Sequence, residues 1–145
     1  MQKKNILTIS EEELPKIIQV LWKILENIKA SISAVKLVAN SKTLHHILPE
    51  IMPPIDRQYT LQFFRNSKEI KYEQKIFREI YPLFHYIGLK NKVVIQSLLG
   101  TGFHTSETKI IDNALVGYIL TGKKKFVESE NCGIDQSLSY RKKIT

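Results

Sequence analysis

Apolar residues recur every three or four positions near the start of the chain, and this spacing predicts a helix with one wide buried face. The residues that form this face are Leu14, Ile17, Ile18, Leu21, Trp22, Leu25 and Ile28. Ser10 and Glu13 precede them at the spacing of a capping box, in which each side chain bonds the other residue's backbone N–H. Similar spacing returns over residues 70–87 and 110–119, so we predict a mostly α, compact helical domain.

Residues 34–39 are β-branched and partly alternating, which allows either a short strand or a helix and therefore one small strand pair. Asn40 and Ser41 are good N-cap residues, so we predict a short helix from Lys42 to Leu48. The prolines at 49, 53 and 54 exclude a long helix through the next segment. Asp56, which follows them, is suited to cap the next element.

Boundary residues are also visible in the second half of the chain. Asn66 predicts a break, and Pro82 is expected to kink or end the helix that covers residues 70–87. Thr105-Ser106-Glu107 predicts the cap and the acidic first turn of the last helix, which Gly122 ends. Residues 93–99 are apolar, but their spacing does not decide between helix and strand.

The length of 145 residues suits one domain, and 43% apolar with 25% charged residues is ordinary globular usage. We predict a single helical domain over residues 1–127 and a basic, loosely ordered tail over 128–145, where apolar residues are sparse. Cys132 is the single cysteine, which excludes an intrachain disulfide. No signal peptide or run of about 20 apolar residues is visible, so we expect a cytoplasmic protein without a membrane partner.

The net charge of +8 favours a polyanionic partner. The positive charge is densest near the end of the chain, at Lys123, Lys124, Lys125, Arg141, Lys142 and Lys143. Our leading hypothesis is therefore a nucleic-acid-associated accessory protein that makes sequence-independent contacts to phosphates through these six residues.

A second hypothesis concerns two polar segments. The chain has Ser-Lys-x-Leu-His at 41–45, Pro-Pro-Ile-Asp-Arg-x-Tyr-Thr at 53–60 and Thr-Ser-x-x-Lys-x-Ile-Asp-Asn at 105–113. These stretches resemble a family of small uncharacterised prokaryotic proteins, and the resemblance covers about half of the chain. It implies one polar site but no activity. From the residue types we expect this site to bind a phosphorylated or otherwise anionic ligand, as an enzyme or a binding domain, through Lys42, Asp56, Arg57, Tyr59, Lys109 and Asp112.

The sequence also allows other interpretations. His45 and His46 are adjacent and diverge on a helix, so we expect neither a metal site nor another cofactor. Arg78 and His85 are seven residues apart, a spacing that resembles the catalytic pattern of HEPN-type ribonucleases, although Glu79 and Pro82 depart from that pattern. A module for protein–protein interaction, with no chemistry of its own, is the third hypothesis.

Overall fold

The computed structural model describes residues 4–30, 32 and 35–122. The helices are α1 (Leu14–Asn27), α2 (Leu37–Ile47), a π-helical turn (Arg57–Leu61), α3 (Gln62–Arg65), α4 (Glu73–Lys90), α5 (Lys92–Leu98) and α6 (Glu107–Thr121). The mostly α prediction is confirmed. The described residues contain no strand, and none of their helices is long and apolar enough to cross a bilayer. The predicted tail at 128–145 lies outside them.

The capping box at the start of α1 is confirmed. The Glu13 N–H donates to Ser10 Oγ at 3.3 Å, and the Ser10 N–H donates to Glu13 Oε2 at 3.2 Å. The predicted apolar face is also the packed one, since Ile18, Leu21 and Leu25 are buried. Trp22 is half-buried and packs against Phe77 of α4, with 5.9 Å between the ring centroids.

Helix α4 supplies much of the core. Its buried apolar side chains are Ile76, Phe77, Ile80, Tyr81 and Phe84. The helix does not end at Pro82, as the sequence had allowed, but continues to Lys90. The missing N–H of a proline weakens a helix. Here the residues that follow Pro82 are held by packing, because Phe84 is buried and His85 Nε2 lies 2.8 Å from the Ile9 carbonyl oxygen.

The predicted start of α2 was wrong. Helix α2 begins at Leu37, and its first N–H donates to the Glu73 carboxylate of α4. Asn40 and Ser41 are therefore buried inside the helix and do not cap it. Segment 37–39, for which the sequence allowed a strand or a helix, is helical, and Leu37 joins the apolar core. Asn40 instead donates to the carbonyls of Leu25 and Ile28 at the end of α1, at 2.7 and 2.9 Å.

An N-terminal segment, residues 6–9, begins with a turn and covers the core from one side. Ile6, Leu7 and Ile9 are buried, and the Ile6 N–H donates to the Glu50 carbonyl at 2.8 Å. The segment passes close to α4 because Gly88 has no side chain. A Cβ at Gly88 would lie 2.8 Å from Leu7 Cδ2.

The remaining boundary predictions are confirmed. Asn66 follows α3 with φ 52° in the left-handed region. Ser106 caps α6, since its Oγ accepts from the Lys109 N–H at 3.3 Å. Gly122 ends α6 with φ 71°. Residues 93–98, which periodicity had left undecided, belong to α5.

Candidate anion-binding site

A buried serine joins α2 to the segment that precedes the π-helical turn. Ser41 Oγ accepts from the Ile55 N–H at 3.1 Å, and its own proton is within reach of the Val38 and Ile55 carbonyls at 3.0 and 3.2 Å. We call these contacts the Ser41 clamp. Because Lys42 follows Ser41 and Asp56 follows Ile55, the clamp brings these two predicted site residues to neighbouring positions.

Asp56 begins the π-helical turn as its N-cap. Asp56 Oδ1 accepts from the Tyr59 N–H at 2.7 Å and from the Thr60 N–H at 3.4 Å, while Thr60 Oγ1 accepts from the Asp56 N–H at 3.2 Å. The prediction that Asp56 caps the next element is confirmed. The capping bonds fix the carboxylate close enough to α6 for its charge to act on Asp112.

The first turn of α6 packs against α2 through a buried threonine. Thr108 Oγ1 donates to the Pro49 carbonyl and lies 3.4 Å from His45 Nδ1. His45 Nδ1 lies 2.7 Å from the Met52 carbonyl oxygen. Since a carbonyl oxygen can only accept, Nδ1 carries the proton in this contact, and the neutral ring keeps its lone pair on Nε2.

Lys109 and Asp112 form an ion pair on α6, with 2.7 Å between Lys109 Nζ and Asp112 Oδ2. The Asp112 side chain is only 7% exposed, whereas that of Lys109 is 34% exposed. Burial raises the pKa of the Asp112 carboxyl above its ordinary value, the Lys109 ammonium opposes this shift, and the Asp56 carboxylate adds to it. The Lys109 ammonium is therefore partly exposed and lies next to a buried carboxylate.

His45 belongs to the same electrostatic cluster. Partial burial lowers the pKa of the imidazole, and the Lys109 ammonium acts in the same direction. The hydrogen bond to the Met52 carbonyl opposes both effects. His45 is therefore neutral at pH 7 and sits beside a cation, where an incoming anion would favour its protonation.

Three of the six predicted residues are thus related. Lys109 and Asp112 form the ion pair on α6, and Asp56 begins the π-helical turn that packs against α6, where its charge acts on Asp112. Lys42 and Arg57 are next in sequence to Ser41 and Asp56, and both are exposed side chains with no ion-pair partner among the described residues. Tyr59 is half-buried, and its hydroxyl accepts from Gln58 Nε2 at 3.4 Å. Lys42 lies inside α2 and not at its start, so the free backbone N–H groups at the beginning of α2 do not help Lys42 to bind an anion.

His45 and Thr108 also belong to this cluster, although they were not among the six residues predicted from the sequence. A signal was present, since His45 ends the Ser-Lys-x-Leu-His stretch and Thr108 lies inside the later polar stretch. Their contact joins positions 63 residues apart, which helical spacing within one segment cannot reveal. The metal hypothesis had considered His45 only as a neighbour of His46.

The other hypotheses have different outcomes. His85 is 3% exposed and its Nε2 faces the Ile9 carbonyl, whereas Arg78 is exposed, so the two side chains do not form an accessible pair for ribonuclease chemistry. Among the described residues no three His, Cys, Asp or Glu side chains gather as metal ligands would. The six basic residues of 123–143 lie outside the described residues, so their role stays a prediction.

Comparisons of the chain with protein-family models, with curated proteins and with solved structures found no match. The resemblance over the segments at 41–45, 53–60 and 105–113 therefore stays a prediction.

Proposed function

We propose that the protein binds a small anionic ligand, of the phosphate or carboxylate class, at the cluster of Asp56, Lys109 and Asp112. The observation that carries this proposal is the partly exposed Lys109 ammonium, which lies 2.7 Å from a buried carboxylate. Lys42 and Arg57 add two exposed cations next in sequence to Ser41 and Asp56, and neither has an ion-pair partner among the described residues. A lysine that served only as a surface ion pair would not need a partner that burial makes costly to ionise.

Five residues have distinct roles in this proposal. Lys109 supplies the central charge, and Asp112 restricts its position. Arg57 offers a planar pair of donors suited to an oxyanion. Lys42 adds a second flexible ammonium. His45 takes up a proton as the anion arrives, because its Nε2 is not used by the contact to Met52.

The first experiment is an NMR titration with inorganic phosphate and, separately, with acetate at constant ionic strength. We expect saturable shifts of the backbone amides of residues 56–60 and 106–112. Arg57→Gln should weaken binding about two- to fivefold, the size of one exposed charge contact. Lys16→Gln removes an equally exposed cation from α1 and serves as the charge-matched control.

The outcome that contradicts the proposal is equally specific. If Arg57→Gln and Lys16→Gln weaken binding to the same extent, the anion responds to net charge and not to this site. Linear shifts without saturation would carry the same meaning. Thermal melts of both variants should match the wild-type melt, since neither side chain has an ion-pair partner among residues 4–122.

Nucleic-acid binding is a second candidate function, and charge distribution favours it. Lys123, Lys124, Lys125, Arg141, Lys142 and Lys143 are six of the 22 lysines and arginines, concentrated in the last segment of the chain. The affinity for a single-stranded oligonucleotide should fall steeply with salt concentration.

We also expect the protein in the cytoplasm, where a single cysteine stays reduced.

Removing two of these cations, by Lys142→Gln with Lys143→Gln, should flatten the salt slope by up to about two phosphate equivalents. The matched control is Lys16→Gln with Lys23→Gln, two exposed cations of α1. Binding that does not depend on salt, or no binding at low salt, contradicts this candidate. So does a control pair that flattens the slope as much as the tail pair.

A further inference from the structure

A second feature of the fold lies apart from the polar cluster. An apolar cavity of about 160 Å³ lies between the C-terminal half of α4, α5 and α6. Its inner wall is made of buried side chains, among them Phe63, Ile95, Ile111, Leu115 and Tyr118. Phe63 and Tyr118 meet edge to face there, with 5.1 Å between their ring centroids.

The mouth of the cavity is chemically different from its wall. Val94 is 57% exposed, and Ala114 on the opposite helix is also exposed, so the cavity opens to solvent between α5 and α6. Lys90 stands at this rim with its ammonium 5.6 Å from the centroid of the Tyr86 ring. Among the described residues that line the cavity, Lys90 carries the formal charge and no carboxylate is present.

We propose that this cavity binds a small apolar carboxylate, with the hydrocarbon body between α4, α5 and α6 and the carboxylate at Lys90. Size supports the body, because an apolar protein cavity of roughly 150 Å³ stays dry and accommodates a benzene ring. Charge complementarity supports the head group. The ammonium has no acidic partner among residues 4–122, and the adjacent Tyr86 ring holds it near the rim.

The site is separate from the proposed anion-binding site, although both use α6. Lys109 and Asp112 belong to the polar cluster, whereas Ile111, Ala114 and Leu115 border the cavity. The inference therefore does not depend on the proposed function. Two variants can separate the two sites. Arg57→Gln should leave ligand binding in the cavity unchanged, and Lys90→Gln should leave phosphate binding unchanged.

Octanoate, 1-octanol and octylamine share one chain and differ in head group, so they test body and head separately. We expect octanoate to shift the methyl resonances of Ile111 and Leu115 saturably and to bind about two- to fivefold more tightly than 1-octanol. Octylamine should bind more weakly than 1-octanol. Lys90→Gln should remove the preference for octanoate and leave 1-octanol binding unchanged.

Two further variants complete the test. Lys92→Gln removes an exposed lysine that does not line the cavity, and it should keep the octanoate preference. Ala114→Trp introduces a large side chain at the exposed mouth and should abolish binding of all three probes. If its thermal melt is altered, Ala114→Leu gives the same test with a smaller side chain.

Equal binding of octanoate and 1-octanol by the wild type would overturn the assignment of Lys90. An unchanged octanoate affinity in a folded Ala114 variant would overturn the assignment of the cavity. Binding of none of the three probes would overturn the proposal as a whole.

Discussion

Replacing Ser41 by alanine should destabilise the protein, although the substitution favours the helix locally. The Ser41 clamp gives the buried Ile55 N–H its acceptor at 3.1 Å. A buried N–H without a partner costs about 1–3 kcal/mol. Alanine is a better helix former than serine by about 0.5 kcal/mol. The expected net loss is therefore about 0.5–2.5 kcal/mol in the free energy of unfolding, measured by urea denaturation.

Thr43 provides a matched control two residues along the same helix. Its Oγ1 donates at 3.1 Å to the Ala39 carbonyl, one turn earlier in α2, and no second element depends on that bond. Threonine hydroxyls that bond back to their own helix contribute little or destabilise it slightly. Thr43→Ala should therefore leave the free energy of unfolding within about 0.5 kcal/mol of wild type.

Amide hydrogen exchange separates the clamp from a general loss of stability. In Ser41→Ala the Ile55 amide should lose more protection than the core amides of α4, because its own acceptor is gone. Equal stability of the two variants would refute the reasoning, as would unchanged protection at Ile55. Since the clamp brings Lys42 beside Asp56, phosphate affinity should also fall in Ser41→Ala and not in Thr43→Ala.

Three further predictions follow from burial and hydrogen bonding. Asp112→Asn should be as stable as wild type or more stable at pH 7. The raised pKa of the Asp112 carboxyl favours folding at pH values below 3.8, and this contribution is lost as the pH rises through the pKa of the folded state. A clear loss of stability of Asp112→Asn in urea melts at pH 7 would show that the ion pair with Lys109 stabilises the fold. Leu21→Ala should lower the free energy of unfolding by roughly 2–5 kcal/mol, whereas Val20→Ala, at a residue that is 47% exposed, should lower it by less than about 0.5 kcal/mol. Similar losses for the two variants in denaturant melts would mean that α1 packs through another face. Tyr81→Phe should cost about 1–2 kcal/mol, because the buried hydroxyl donates to the Ile51 carbonyl at 2.9 Å, and a calorimetric melt equal to wild type would argue that water replaces this bond.

Local patterns in the sequence predicted the elements whose causes are local. The capping box at Ser10, the Asp56 cap, the Ser106 cap and the left-handed Asn66 each depend on a few neighbouring residues. For that reason their residue types were sufficient to place them. The mostly α fold followed from the same local rules.

Tertiary contacts decided the elements that the sequence misplaced. Asn40 and Ser41 have the side chains of N-caps, but their partners are the end of α1 and Ile55, so they lie inside α2. Pro82 was expected to kink or end α4, yet the helix continues to Lys90, and the residues after Pro82 are held by packing around Phe84 and His85. Such contacts outweigh helix propensities, which differ by up to about 0.7 kcal/mol for ordinary residues and by about 3 kcal/mol for an internal proline.

The candidate site was predictable in part for the same reason. Asp56, Lys109 and Asp112 were expected together because two polar stretches each lie beside a helix start. His45 was not expected there, since its role depends on contacts to Met52 and Thr108 across the fold. The cavity was not predictable, because its wall combines residues of α3, α4, α5 and α6.

The burial of residues 6–9 has a consequence for the order in which the protein folds. His85 Nε2 meets the Ile9 carbonyl across 76 positions, and Leu7 lies against Gly88. A ribosome synthesises this segment before α4, so the surface that binds it does not yet exist when the segment is made. Contacts between such distant positions form slowly, since the intervening loop must close. Residues 6–9 can therefore complete their packing only after α4 has formed, and until then the nascent protein exposes their apolar side chains.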